Sequence, residues 1–178
     1  PYLNCIFDDD IKYGDIVKGL PVPAGQVEGV FCSHVLEHLA LDDFHKALDN
    51  TYLILKPGGL FRLIVPDLEL YILDYINSLS TNSFDIKCRA ASEFMKKTGL
   101  GMIQRKHGIT GRLSEVYGSH HRWMWDKYSL SRALTDHGFV KVETFEKGNC
   151  HDEMFLLPER DYQFNSSIAL QCRKPDAC

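Results

Sequence analysis

The 178-residue sequence contains no apolar run approaching the ~18 to 20 residues needed to span a bilayer, so no membrane span is read. Its opening, PYLNCIFDDD, is neither basic nor a long apolar stretch; no targeting leader is read and a cytoplasmic location is expected. Neither sign of charge dominates. Lys and Arg number 20 against 24 Asp and Glu, a net charge of −4, which gives no global attraction for nucleic acid or anionic membrane. Nucleic acid is therefore not an expected partner. No Cys-x-x-Cys pair occurs: the cysteines at 5, 32, 88, 150, 172 and 178 are too scattered for a zinc or redox pair and too sparse for a disulfide scaffold. Free thiols in a reducing compartment are expected. There is no internal repeat and no low-complexity tract. The first residue is Pro1 rather than Met, from which an upstream segment is expected.

What is present suits one ordinary domain over residues 1–178, with 44% hydrophobic and 25% charged residues. Strand-length apolar runs alternate with amphipathic helical segments, the pattern of βαβ units. Strands are expected at Tyr2–Phe7, Asp15–Val17, Glu28–Ser33, Leu60–Val65, Phe139–Phe145 and Ser167–Cys172. Helices are expected at Leu41–Leu55, Leu68–Leu79, Ile86–Thr98 and Ser129–His137. Helix Leu41–Leu55 must stop at Lys56-Pro57-Gly58-Gly59, because proline disfavours helical geometry in the residue before it and glycine supplies the reversal. The order implies an α/β, Rossmann-like doubly wound, mostly parallel sheet with an antiparallel strand near the C-terminal end. A helical insertion or lid is read at about 80–126. In such sheets ligands bind at the carboxyl ends of the strands.

The string VFCSHVLEHLALDDFHKALDNTYLILKPGGLFRLIVPD, Val30–Asp67, combines a buried strand ending in a polar residue, a Leu-Glu-His-Leu turn, an amphipathic helix, Leu-Lys-Pro-Gly-Gly and a second strand. In that order it resembles the second half of a class I S-adenosylmethionine-dependent methyltransferase domain, of the type that modifies small molecules and glycans. The likeness extends back through DIVKGLPVPAGQVEGV and forward to DKYSLSRALTDHGFVKVETFE, about two-thirds of the chain. It implies S-adenosylmethionine as cofactor and a small-molecule or glycan-precursor acceptor. It also implies cofactor-binding roles for Asp8 (ribose), Asp15 (adenine side), and Cys32, Ser33 and His34 (methionine side). Against these stand blander readings: Asp8-Asp9-Asp10 as a solvated turn, His34 as a cap, and Glu37 and His38 as braces of the turn.

The family's glycine-rich loop is absent, and Gly99-Leu100-Gly101 follows no strand. Either the first central strand is missing, the expectation adopted, or Tyr2–Phe7 replaces it in a degenerate pocket. His34-Val35-Leu36-Glu37-His38 also matches His-x-x-Glu-His, a zinc-hydrolase signature, but a strand ends just before it, so no metal ligand is assigned. On the acceptor side, His34, His120 and His121 are the catalytic candidates, with Arg122, Trp123 and Trp125 beside them suited to sugar stacking or to packing. Lys87, Arg89, Lys96, Lys97, Arg105, Lys106 and Arg112 could meet an anionic acceptor or form a solvated face. Three function classes remain open, a methyltransferase, a binding or scaffold protein of the same fold and, as the remote third, a zinc hydrolase using His34, Glu37 and His38; the oligomeric state is not legible.

Overall fold

The computed structural model describes residues 11–101, 120–150 and 152–177. Strands β1 (Val27–Ser33) and β2 (Leu55–Pro66) flank helix α1 (Leu41–Ile54). Helices α2 (Leu68–Ser80), α3 (Phe84–Lys97) and α4 (Lys127–Asp136) follow, then strands β3 (Val140–Thr144) and β4 (Ser167–Arg173). The sheet order is β1-β2-β4-β3. β1 and β2 pair in parallel and β4 is antiparallel to both its neighbours, so three strands share a direction and β4 alone is reversed. This is the expected α/β sheet, with the reversed strand one place in from the edge. The expected strand Tyr2–Phe7 lies outside the described residues, as does most of Gly99–Gly111.

Helix α1 forms as its periodicity predicts: Phe44, Ala47, Leu48, Thr51 and Ile54 are buried at spacings of three and four. It ends at Ile54, just before Lys56-Pro57, and Gly58 takes φ +74, a left-handed conformation open to glycine, where a Cβ would also meet the Asp176 carboxylate at 2.7 Å. From Gly59 to Pro66 every residue of β2 is buried, which is why its sequence does not alternate. One face packs Phe61, Leu63 and Val65 against Phe44 and Leu48 of α1 and Leu130 and Leu134 of α4. Burying each such side chain contributes about 1.5 to 3 kcal/mol. On the other face Arg62 lies over Phe145, 3.5 Å from the ring centroid, and Ile64 joins Phe145 and Ala169. Among the described residues both helices packed on the sheet thus share one face. The connection 146–166 covers the other, through Phe155 and Phe164 of its two short 3-10 turns.

Two sequence expectations change in detail. Asp15–Val17 is a turn, not a strand, because the Asp15 carboxylate accepts from the backbone N–H of Val17 (3.0 Å) and Lys18 (3.3 Å). The loose alternation in β3 has its cause in a register shift between Val140 and Glu143, where Lys141 takes φ +53. Helix α4 begins at Asp126, whose carboxylate accepts from Tyr128 N and Ser129 N, both at 2.8 Å, in a capping box. Asp126→Ala is expected to lower stability by about 1 kcal/mol, read from the urea midpoint.

The paired helices α2 and α3 stand off the sheet: α2 buries no residue and α3 only Ala90. Their charges are spent locally, Lys97 on Asp74 (2.7 Å) and Lys96 on Glu93 (3.4 Å), as on a solvated face. Among the described residues no helix is long and apolar enough to cross a membrane.

Candidate functional site

At the carboxyl end of β1 the His34 N–H still donates to Ile64 O (2.9 Å), but His34 itself takes φ +53 and turns the chain off the sheet. A 3-10 turn, Leu36–His38, follows, burying Leu36 and Glu37. The segment His120–Trp125 crosses this end: Arg122 N and Trp123 N donate to Glu37 O at 2.7 and 3.2 Å, and Leu68 N donates to Trp125 O at 2.9 Å. Trp125 is fixed from below by Phe44, with ring centroids 4.3 Å apart. The turn after β1 and the last residues of the insertion are therefore held together by backbone hydrogen bonds.

Three imidazoles gather around Glu37. His34 Nδ1 lies 3.3 Å and His38 Nε2 3.8 Å from Glu37 Oε1. The rings of His38 and His121 are 5.0 Å apart. The Glu37 side chain is 1% exposed, and neither carboxylate oxygen has an aligned hydrogen-bond partner among the described residues. The carboxylate beside His34 raises its pKa above the ordinary imidazole range, against the opposing effect of partial burial. Burial lowers that of His121.

Of the sequence-predicted residues, the structure brings His34 and His121 to this cluster. His120 contributes its carbonyl, which accepts from His38 Nδ1 at 3.1 Å. Ser33 stands at the strand end with a buried Oγ that has no partner among the described residues. Cys32, on the alternate face, is packed in the core, where burial, with Glu37 adding, pushes its thiol up to about 12. Asp15 sits in its own turn and pairs with Lys18 at 3.1 Å. Asp8 lies outside the described residues. Glu37 and His38 were legible only as turn braces or as part of the zinc-hydrolase pattern. That pattern does not form: His34 leaves a strand and His38 closes a 3-10 turn, so the two share no α-helical face.

The profile of a methyltransferase domain family matches residues 6–144. The chain belongs to the methyltransferase domain family. That match runs through β1, α1, β2 and the site, and sets aside the zinc-hydrolase reading. No curated protein matches this methyltransferase-domain chain. Among solved structures it is similar to a protein of Haloferax volcanii in complex with the Trm112 methyltransferase activator, at 16% identity and TM-score 0.49, covering 91% of this chain and 60% of that one. It is also similar to an S-adenosylmethionine-dependent methyltransferase of Thermotoga maritima, at 16% identity and TM-score 0.47, covering 89% and 61%. A third, from Archaeoglobus fulgidus, has 14% identity and TM-score 0.45, covering 86% and 62%. The chain spans about three-fifths of the length of these proteins.

Proposed function

We propose that this methyltransferase-domain protein transfers a methyl group from S-adenosylmethionine to a small or saccharide-like acceptor in the cytoplasm. The observation that carries the reading is the carboxyl end of β1, where the family's strand-turn-helix segment presents a buried Ser33 Oγ, unpartnered among the described residues, beside His34. The cofactor's methionine end carries an ammonium and a carboxylate, and a serine hydroxyl can donate to one and accept from the other. The cofactor, when bound, supplies an electrophilic methyl group. What this chain supplies is position: the Cys32–His34 strand end as one wall, Asp15 and Asp8 on the adenosine side, and the region of about 80–126 as a lid over the acceptor. His34, His120 and His121 face that acceptor in this reading. Methyl transfer gains much from alignment, and a base is needed only if the acceptor must lose a proton.

Calorimetric titration of S-adenosylhomocysteine into the full-length gene product tests this. One-to-one saturable binding is expected, weakened about five- to tenfold in Ser33→Ala, the loss of one ordinary hydrogen bond. No binding by the full-length protein would overturn the enzyme reading and leave a binding or scaffold role for the fold.

A further inference from the structure

Each imidazole around Glu37 has one nitrogen committed to a backbone carbonyl: His34 Nε2 to Gln163 O (2.9 Å), His38 Nδ1 to His120 O (3.1 Å) and His121 Nδ1 to Thr98 O (2.5 Å). A carbonyl only accepts, so the committed nitrogen is the one bearing hydrogen, and in each neutral ring the other nitrogen is a lone pair. Those of His38 and His121 are left for the Glu37 carboxylate, itself an acceptor with no aligned donor among the described residues. A buried carboxylate with two part-exposed imidazole lone pairs converging on it makes a set of acceptors that a cation can join. His34 Nδ1 and His38 Nε2 both approach Glu37 Oε1, at 3.3 and 3.8 Å. Among the described residues Glu37 Oε2 has no hydrogen-bond partner.

We propose that Glu37, His38 and His121 form a binding site for a divalent transition-metal ion of the zinc class. One ligand atom from each lies within 4.8 Å of the others. Ligands at about 2.0 to 2.1 Å from zinc stand roughly 3.3 Å apart, so side-chain shifts of about an ångström close the site. Two imidazoles and a carboxylate are a donor set that zinc and iron(II) accept. The carbonyls of His120 and Thr98 are the outer partners that fix ligand histidines in the required tautomer. The seat of His121 is also built. Gly99, at φ +66 just beyond α3, leaves the space that its ring fills, and a Cβ there would meet Nδ1 at 3.0 Å. A bound ion would join the turn after β1 to the last part of the insertion, which His121 also ties to the end of α3. With three protein ligands it keeps a position for water. Metal binding here stands apart from methyl transfer and is measured without it.

Zinc chloride titrated calorimetrically into metal-stripped full-length protein, with metal content after dialysis, is the test. One equivalent is expected in the wild type, with affinity reduced at least tenfold in Glu37→Gln and in His121→Ala. X-ray absorption of the zinc-loaded protein should show nitrogen and oxygen ligands at about 2.0 to 2.1 Å with imidazole scattering. The competing zinc binder is the surface chain Asp49–His137–His45, linked at 2.7 and 2.8 Å. His45→Ala should therefore leave binding unchanged. If Glu37→Gln misfolds, His121→Ala, a half-buried position, decides. No zinc bound, equal affinity in His121→Ala, or loss in His45→Ala would each overturn the proposal.

Discussion

Glu159→Ala is expected to lower folding stability by about 3 to 5 kcal/mol. Arg62 lies in the middle of β2 with its side chain fully buried. Its guanidinium covers Phe145 and donates from Nη1 to Glu159 Oε1 (2.5 Å) and from Nη2 to Asn149 O (3.1 Å). Glu159 Oε2 in turn accepts from Gly148 N at 2.8 Å, which fastens the connection 146–166 to the sheet. Arginine cannot shed its proton, so removing the carboxylate leaves a fixed charge in the interior with one carbonyl for company. Urea unfolding measures the loss. A value below about 1 kcal/mol would mean that water reaches Arg62 and the pair is not buried in solution. The double variant Arg62→Met/Glu159→Leu should recover much of the stability, because an apolar pair of similar volume avoids the desolvation that the charges incur.

Phe44→Ala is expected to cost a similar amount, about 3 to 5 kcal/mol, through lost transfer energy and the cavity left behind. Phe44 is fully buried and its ring meets Trp125, the inner anchor of the segment that carries His120 and His121. A midpoint drop on the order of 10 °C in thermal unfolding is expected. Leu53→Ala, on the exposed side of the same helix, should change little. Equal effects at both positions would mean that α1 is not packed as described.

The sequence was most legible where periodicity, turn chemistry and burial agree. Phe44, Leu48 and Thr51 marked the inner face of α1, and Lys56-Pro57-Gly58-Gly59 marked its end, because no other local geometry suits those residues. The extended run Leu60–Val65 announced a strand buried on both faces. Asp15 misled, since an aspartate that can bind its own backbone competes with extended structure, and composition does not reveal which prevails. The site was half legible. His34 and Ser33 follow from their place at a strand end. The meeting of Glu37 with His121 does not, because it depends on a crossing 84 positions along the chain, set by Arg122 N and Trp123 N donating to Glu37 O. Arg62 gave no signal of its partner either: a lone arginine in an apolar strand says that an acid must exist, not that it is Glu159.

The placing of β4 bears on how the chain reaches its native state. β3 is bonded to β4 and to no other strand among the described residues, and β4 also seals the open side of β2. Residues 140–144 therefore leave the ribosome before residues 167–173, their one partner among the described strands. Until then two unpaired strand edges, those of β2 and β3, are exposed together, and the αβ units already made cannot close the sheet by themselves. Of the four described strands the one synthesised last is an interior one, so pairing of β3 waits on it, and a nascent chain paused before Ser167 is exposed to misassembly.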